Sequence, residues 1–144
     1  MESTDTVKLL RECDAGIKMG VSAIDEVLDY TKDDQLKKKL SHCKEEHETL
    51  QKEIDGLLDQ YHDDGKEPNP MAKGMSWMKT NVKLMMNESD ATIADLMTDG
   101  CDMGVKSLSR YLNQYAAADE TSKDITKRLI HIEETLSRDM RDFL

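Results

Sequence analysis

The strongest constraint on the fold is a repeating apolar seam between residues 33 and 62. Its members follow one another in steps of four and three: Leu36, Leu40, Cys43, His47, Leu50, Ile54, Leu57 and Tyr61. This spacing brings all these side chains onto one stripe of an α-helix, whereas a half-buried strand would alternate at every second residue. Helices pack lengthwise on one another through such a/d seams. The segment therefore predicts one long helix of a helical bundle.

The rest of the chain carries the same helical period. The seam of the first segment is Leu10, Cys13, Ile17, Gly20, Ile24 and Val27, and that of the last is Ile125, Leu129, Ile132, Leu136, Met140 and Phe143. The last segment opens on Thr121-Ser-Lys-Asp124, which is close to a capping box. The sequence predicts helices over about residues 4–31, 33–62, 71–86, 89–116 and 121–143, of which the one over 71–86 is short.

The region between residues 71 and 115 admits two interpretations. One is an unbroken third helix, roughly 65 Å long at 1.5 Å per residue, in a longer, looser or dimeric coiled coil. The other is a break at Asn87-Glu88-Ser89-Asp90, which supplies helix N-cap residues in the middle of the stretch. We favour the break, because it leaves four long helices of similar length.

The connections between the helices predict their order. The linker over residues 30–34 is short, so the first two long helices are expected to be antiparallel neighbours. Residues 63–88 are too many for a hairpin and include a methionine stripe: Met71, Met75, Met78 and Met85, with Val82. We expect this segment to run along the bundle, so that the next helix is parallel to the second. The prediction is a single all-α domain over residues 1–144, a ferritin-like four-helix bundle with a helical crossover between its second and third main helices.

Composition excludes several classes of function. The formal net charge of −10 disfavours nucleic-acid binding, which needs a basic face. No apolar run approaches the roughly 20 residues of a membrane span, so no membrane insertion is expected. The first residues show no signal peptide. Three cysteines without paired spacing suit reduced thiols, and we expect a cytoplasmic protein with these thiols filling core positions.

The stretches at residues 77–84 and 94–108, together with the helix lengths and the crossover, resemble small bacterial ferritin-like proteins of unknown function. The resemblance extends over nearly the whole chain, but it concerns architecture and not a catalytic motif. It implies a ferritin-like fold and a stress or surface-related role. It does not imply iron chemistry.

The residues themselves argue against a di-iron centre. Such a site needs Glu-x-x-His on two helices and a Glu on each of the other two. Here His42 precedes Glu45 and His131 precedes Glu134, which is the reverse order. On the first helix, Asp14 and Asp25 lie off the apolar seam. The core is therefore expected to contain too few carboxylates to bind a di-iron centre.

The alternative interpretation is a bundle that binds a metal ion at an atypical site. An atypical site for iron or another divalent ion would use His47, His131, Glu134 and Asp99. The competing interpretation of His47 is a buried histidine that is hydrogen-bonded across the bundle. The face that carries Asp95, Asp99 and Asp102 is expected to be solvated.

Glycines recur at a spacing of four in two helices, namely Gly16 and Gly20, and Gly100 and Gly104. Each should cost about 0.5–1 kcal/mol relative to alanine inside a helix, so their presence needs a reason. We predict a close crossing of the first and third main helices there, with Met103 and Met19 at its flanks. The competing account is a cavity for a ligand beside His47.

These observations predict a non-enzymatic protein with a structural or interaction role and no cofactor. Its expected partner is a second copy of the chain, in a homo-oligomer, or another protein. The alternative is the metal-binding ferritin-like protein described above.

Overall fold

The computed structural model describes residues 4–66 and 89–144, which are mainly helical. The helices are α1 (Thr4–Leu28), α2 (Asp34–Gln60), α3 (Asp90–Gln114) and α4 (Glu120–Met140), followed by a 3-10 turn over Arg141–Phe143. The four long helices of the prediction are confirmed, each a few residues shorter than expected. The predicted crossover helix over residues 71–86 and its methionine stripe lie outside the described residues.

The third long helix begins afresh, as predicted. Ser89 has extended backbone angles, φ −79° and ψ 168°, and occupies the N-cap position of α3. An unbroken helix through this point is therefore wrong. The side chain of Asp90 accepts hydrogen bonds from the backbone N–H groups of Lys32 and Asp33, at 2.9 and 2.8 Å. These bonds place the start of α3 beside the start of α2.

Aspartate side chains cap two of the other helices. Asp33 accepts a hydrogen bond from the backbone N–H of Leu36 at the start of α2. At the start of α4, Asp119 does the same for Ser122 at 2.8 Å. The predicted capping box at residues 121–124 is thus wrong, because the Asp119 carboxylate already satisfies the N–H group of the third helical residue and the helix begins at Glu120.

Contacts between side chains fix the direction of each helix. Antiparallel neighbours are marked by two pairs each: Asp14–Gln51 and Asp25–Lys44 for α1 and α2, Glu53–Arg128 and Lys39–Asp139 for α2 and α4, and Asp102–Ser137 and Gly104–Glu133 for α3 and α4. Helices α1 and α4 are parallel, as the pairs Thr6–Asp119 and Cys13–Thr126 show. The four described helices therefore run up, down, down and up.

Within residues 4–66 and 89–144, the core consists of two apolar clusters that follow one another along the bundle. One holds Ile24, Val27, Leu36, Leu40, Cys43, Ile93, Ala94, Leu96, Met97, Cys101, Leu136 and Met140. The other holds Leu10, Cys13, Ile17, Leu50, Ile54, Leu58, Leu108, Ile125 and Leu129. On every helix the boundary between them falls at a residue that is glycine or polar.

Two sequence expectations about burial need correction. The predicted α2 seam continues to Leu57 and Tyr61, but both are only partly buried; its last buried member is Leu58, four residues after Ile54. Asp14 was expected off the seam of α1, yet it is only 1% exposed. The chain that follows α2 folds back over this carboxylate and covers it.

The expected solvated face of α3 is confirmed, since Asp95, Asp99, Asp102 and Lys106 are all exposed. Among residues 4–66 and 89–144, no helix is both long enough and apolar enough to cross a membrane.

Candidate functional site

His47 lies at the boundary between the two apolar clusters, on the core-facing stripe of α2. Its side chain is 1% exposed, so the predicted burial is confirmed. Nδ1 lies 2.8 Å from the backbone carbonyl oxygen of Cys43, one turn earlier in the same helix. Because a carbonyl oxygen only accepts hydrogen bonds, Nδ1 carries a hydrogen and donates it.

The second ring nitrogen of His47 points across the bundle to α4. Nε2 lies 3.0 Å from Oε1 of Glu133, whose side chain is 13% exposed. Both nitrogens therefore face oxygen acceptors, which is the arrangement that suits a protonated imidazolium. The Glu133 carboxylate is also close enough to the thiol of Cys101 on α3 to raise the pKa of that thiol.

Opposing effects set the protonation of His47. Burial lowers the pKa of the imidazole, since it penalises the charged form. The hydrogen bonds with the Cys43 thiol and with Glu133, together with the negative charge of Glu133, act in the opposite direction and raise the pKa to about 10. At neutral pH the middle of the bundle thus holds an imidazolium–carboxylate pair.

Glycines on α1 and α3 make room for this pair. A Cβ atom on Gly20 would lie 3.0 Å from Nε2 of His47 and 3.8 Å from Oε1 of Glu133. A Cβ atom on Gly104 would lie 3.4 Å from Oε2 of Glu133. We call the level formed by Gly20, His47, Gly104 and Glu133 the polar layer.

The polar layer overturns the predicted close crossing of helices at the glycines. The atoms nearest to a Cβ on Gly20 belong to α2 and α4 and not to α3, and a Cβ on Gly16 would meet no atom within 4 Å. Met103 does not fill a flank, because it is 63% exposed. The competing account of a ligand cavity also fails at Gly20, since the His47 ring occupies that space.

All three thiols are free and buried, as expected for core-filling cysteines. Burial raises the pKa of Cys13 to about 12, although a hydrogen bond with Thr126 acts against it. Burial likewise raises the pKa of Cys43 and of Cys101, and for Cys101 the Glu133 carboxylate adds to the effect. Because the thiolate is the reactive form, these cysteines are poor nucleophiles in the folded protein.

The sequence candidates for a metal site do not meet. His131, Glu134 and Asp99 are exposed, whereas His47 is buried. Across the described residues, no three His, Cys, Asp or Glu side chains are arranged to hold a metal ion. Sequence reasoning missed Glu133, because Ile132 beside it fits the seam of α4.

A second polar cluster lies where the chain leaves α2. The buried Asp14 carboxylate accepts a hydrogen bond from the backbone N–H of Lys66 at 2.9 Å and pairs with Lys18 Nζ at 2.9 Å. It also accepts a hydrogen bond from Gln51. Gly65, at φ +85°, is packed against the same carboxylate. Two ion pairs, Arg11–Asp63 and Glu12–Lys66, complete the cluster.

Lysine and arginine side chains supply the positive charge of this cluster, so it has no need of a bound cation. The cluster holds residues 63–66 against the side of α1. The Oε1 atom of Gln51 is the one buried side-chain polar atom among the described residues that lacks a hydrogen-bond partner.

No protein-family model matches the chain, and neither a curated protein nor a solved structure matches it.

Proposed function

We propose that this chain is a non-enzymatic, cytoplasmic helical-bundle protein with a structural or interaction role, and that it self-associates. The proposal includes a ferritin-like arrangement with a crossover between α2 and α3. The run of helices up, down, down and up supports this arrangement, because ferritin-like bundles also place their second and third helices parallel.

The observation that carries the proposal is that both ring nitrogens of the buried His47 are already hydrogen-bonded within the bundle. His47 uses one nitrogen on the Cys43 carbonyl group and the other on Glu133. A catalytic base or a metal ligand needs a nitrogen lone pair that is open to a substrate or an ion. Because both nitrogens of His47 are engaged within the bundle, the residue offers no open lone pair to a substrate or a metal ion.

Metal analysis separates this proposal from the metal-binding alternative. Protein purified without an affinity tag would be analysed by elemental mass spectrometry, before and after equilibration with Fe²⁺ and with Zn²⁺ followed by gel filtration. We expect much less than one metal ion per chain. A stoichiometric ion in the wild type that is lost in His47→Gln would favour the metal-binding ferritin-like protein instead.

Self-association is tested separately by sedimentation velocity over a hundredfold range of protein concentration. We expect the weight-average sedimentation coefficient to rise with concentration. A constant sedimentation coefficient that corresponds to a monomer of 16.4 kDa would contradict self-association and leave another protein as the partner.

A further inference from the structure

The apolar seams of α2 and α4 do not by themselves choose one alignment. Away from the polar layer, α2 presents Leu36, Leu40, Leu50, Ile54 and Leu58, and α4 presents Ile125, Leu129, Leu136 and Met140. Sliding α2 along α4 by one heptad would exchange one large aliphatic side chain for another. Such a shift would still pair aliphatic side chains along most of the two seams, although about one heptad at the end of the helix would lose its neighbour.

The polar layer responds differently to the same shift. His47 would be level with Thr126 or Met140 of α4, and Glu133 with Leu40 or Ile54 of α2, so the two charges would be separated and their hydrogen bond to one another lost. A buried charge without its partner is strongly destabilising, whereas a paired and hydrogen-bonded one is tolerated. Single buried polar positions select the register of coiled coils by this means.

Gly20 and Gly104 restrict the alignment of the helices further. Gly20 leaves room for the imidazole ring, and Gly104 leaves room for the Glu133 carboxylate. If α2 were shifted by one heptad against α1, the ring would meet Cys13 or Val27 instead, both of which carry a side chain and are fully buried. All four helices therefore specify the same level of the bundle, each through one residue.

We infer that the His47–Glu133 pair, together with Gly20 and Gly104, is a register lock that selects one alignment of the four helices. Its contribution is conformational uniqueness more than stability. Replacing the pair with aliphatic residues of similar volume should keep the bundle folded but allow several packings.

The test compares two double variants by amide ¹H–¹⁵N NMR spectroscopy and by denaturant unfolding. We expect His47→Leu/Glu133→Leu to retain the helical circular dichroism and the thermal midpoint of the wild type, or to exceed that midpoint. Its amide spectrum should show doubled or broadened resonances, its unfolding should be less cooperative, and it should bind a hydrophobic dye. His47→Gln/Glu133→Gln keeps a hydrogen-bonding pair in the layer and should give one resonance per amide.

Thr126→Val is the matched control. Thr126 is also buried and polar on α4, but it is uncharged: it donates a hydrogen bond to the Ser122 carbonyl oxygen at 2.8 Å, and its hydroxyl lies 3.2 Å from the Cys13 thiol of α1. We expect this variant to keep a single set of resonances.

Three results would overturn the register lock. One is a Leu/Leu variant with sharp single resonances and wild-type cooperativity. Another is an unfolded Leu/Leu variant, which would show that the pair supplies stability and not selection. The third is multiple resonances in the Gln/Gln variant, since a paired polar layer would then be insufficient.

Discussion

The imidazole ring of His47 packs against the backbone of Gly20, so closely that a Cβ atom there would lie 3.0 Å from Nε2 and 3.2 Å from Cδ2. The ring is held by hydrogen bonds at both nitrogens and has little freedom to withdraw. Gly20 thus has a packing reason to remain glycine. Gly16, one turn earlier on α1, has no such reason.

This difference gives a matched pair of substitutions. Gly16→Ala should stabilise the protein by about 0.5–1 kcal/mol, since alanine is the better helix former and its Cβ meets nothing. Gly20→Ala should lose that gain and destabilise the protein by about 1 kcal/mol or more, because the Cβ overpacks against the ring. Urea unfolding of both variants measures the two effects. Equal stabilisation by both would show that the Gly20 contact is unimportant.

The character of the residue at position 47 should matter more than its exact shape. His47→Gln retains a donor that can reach Glu133, so a loss of about 1–2 kcal/mol is expected. His47→Glu would place two carboxylates together in the core and should cost at least about 3 kcal/mol. Thermal and urea unfolding at pH 7 compare the two. Similar losses of stability in the two variants would imply that the charge of the side chain at position 47 does not determine the cost of the substitution.

Stability should fall as the solution becomes alkaline. A raised folded-state pKa means that protonated His47 stabilises the fold fully below about pH 6.5, and that this stabilisation is lost as the pH rises through about 10. The buried thiols act in the same direction from about pH 9 upward, because they ionise more readily in the unfolded chain.

The expected slope is up to about 1.4 kcal/mol per pH unit for each proton that the folded state retains. Urea unfolding between pH 6 and 10 measures it, and His47→Gln should flatten the curve between pH 7 and 9. An unchanged slope in that variant would assign the effect to other groups.

Gly65 should be intolerant of any side chain. Its φ of +85° is strained for other residues, and a Cβ would collide with the Asp14 carboxylate. Gly65→Ala is expected to destabilise the fold by about 1–3 kcal/mol. Gly56→Ala is the control, since a Cβ there meets nothing within 4 Å and the change should be neutral or stabilising. Hydrogen exchange would show whether the loss begins at residues 63–66.

The buried carboxylate beneath Gly65 should be equally sensitive. Asp14→Ala would leave the Lys66 N–H without its acceptor and remove one of the two acceptors of the Gln51 amide, at an expected cost of about 2–3 kcal/mol. Asp25→Ala removes an exposed aspartate of the same helix, which pairs with Lys44, and should change stability by less than about 1 kcal/mol. Comparable losses would mean that burial of Asp14 contributes little.

Periodicity within each helix was enough to predict which face is buried. The steps of three and four placed Leu36, Leu40 and Ile54 in the core, and His47 with them. The helix start at residue 90 was also predictable, because capping depends on residues that are adjacent in sequence. These properties are local, so the order of residues along the chain determines them.

Contacts between residues on different helices are not a local property of the sequence. Glu133 meets His47, and residues 63–66 cover Asp14, because of how far each helix is shifted and rotated against its neighbours. The glycines show the same limit: their spacing identified small positions on α1 and α3, but a side chain from α2 and another from α4 fill the space they leave. Tertiary packing decided these contacts, since only the assembled bundle sets the distance between residues remote in sequence.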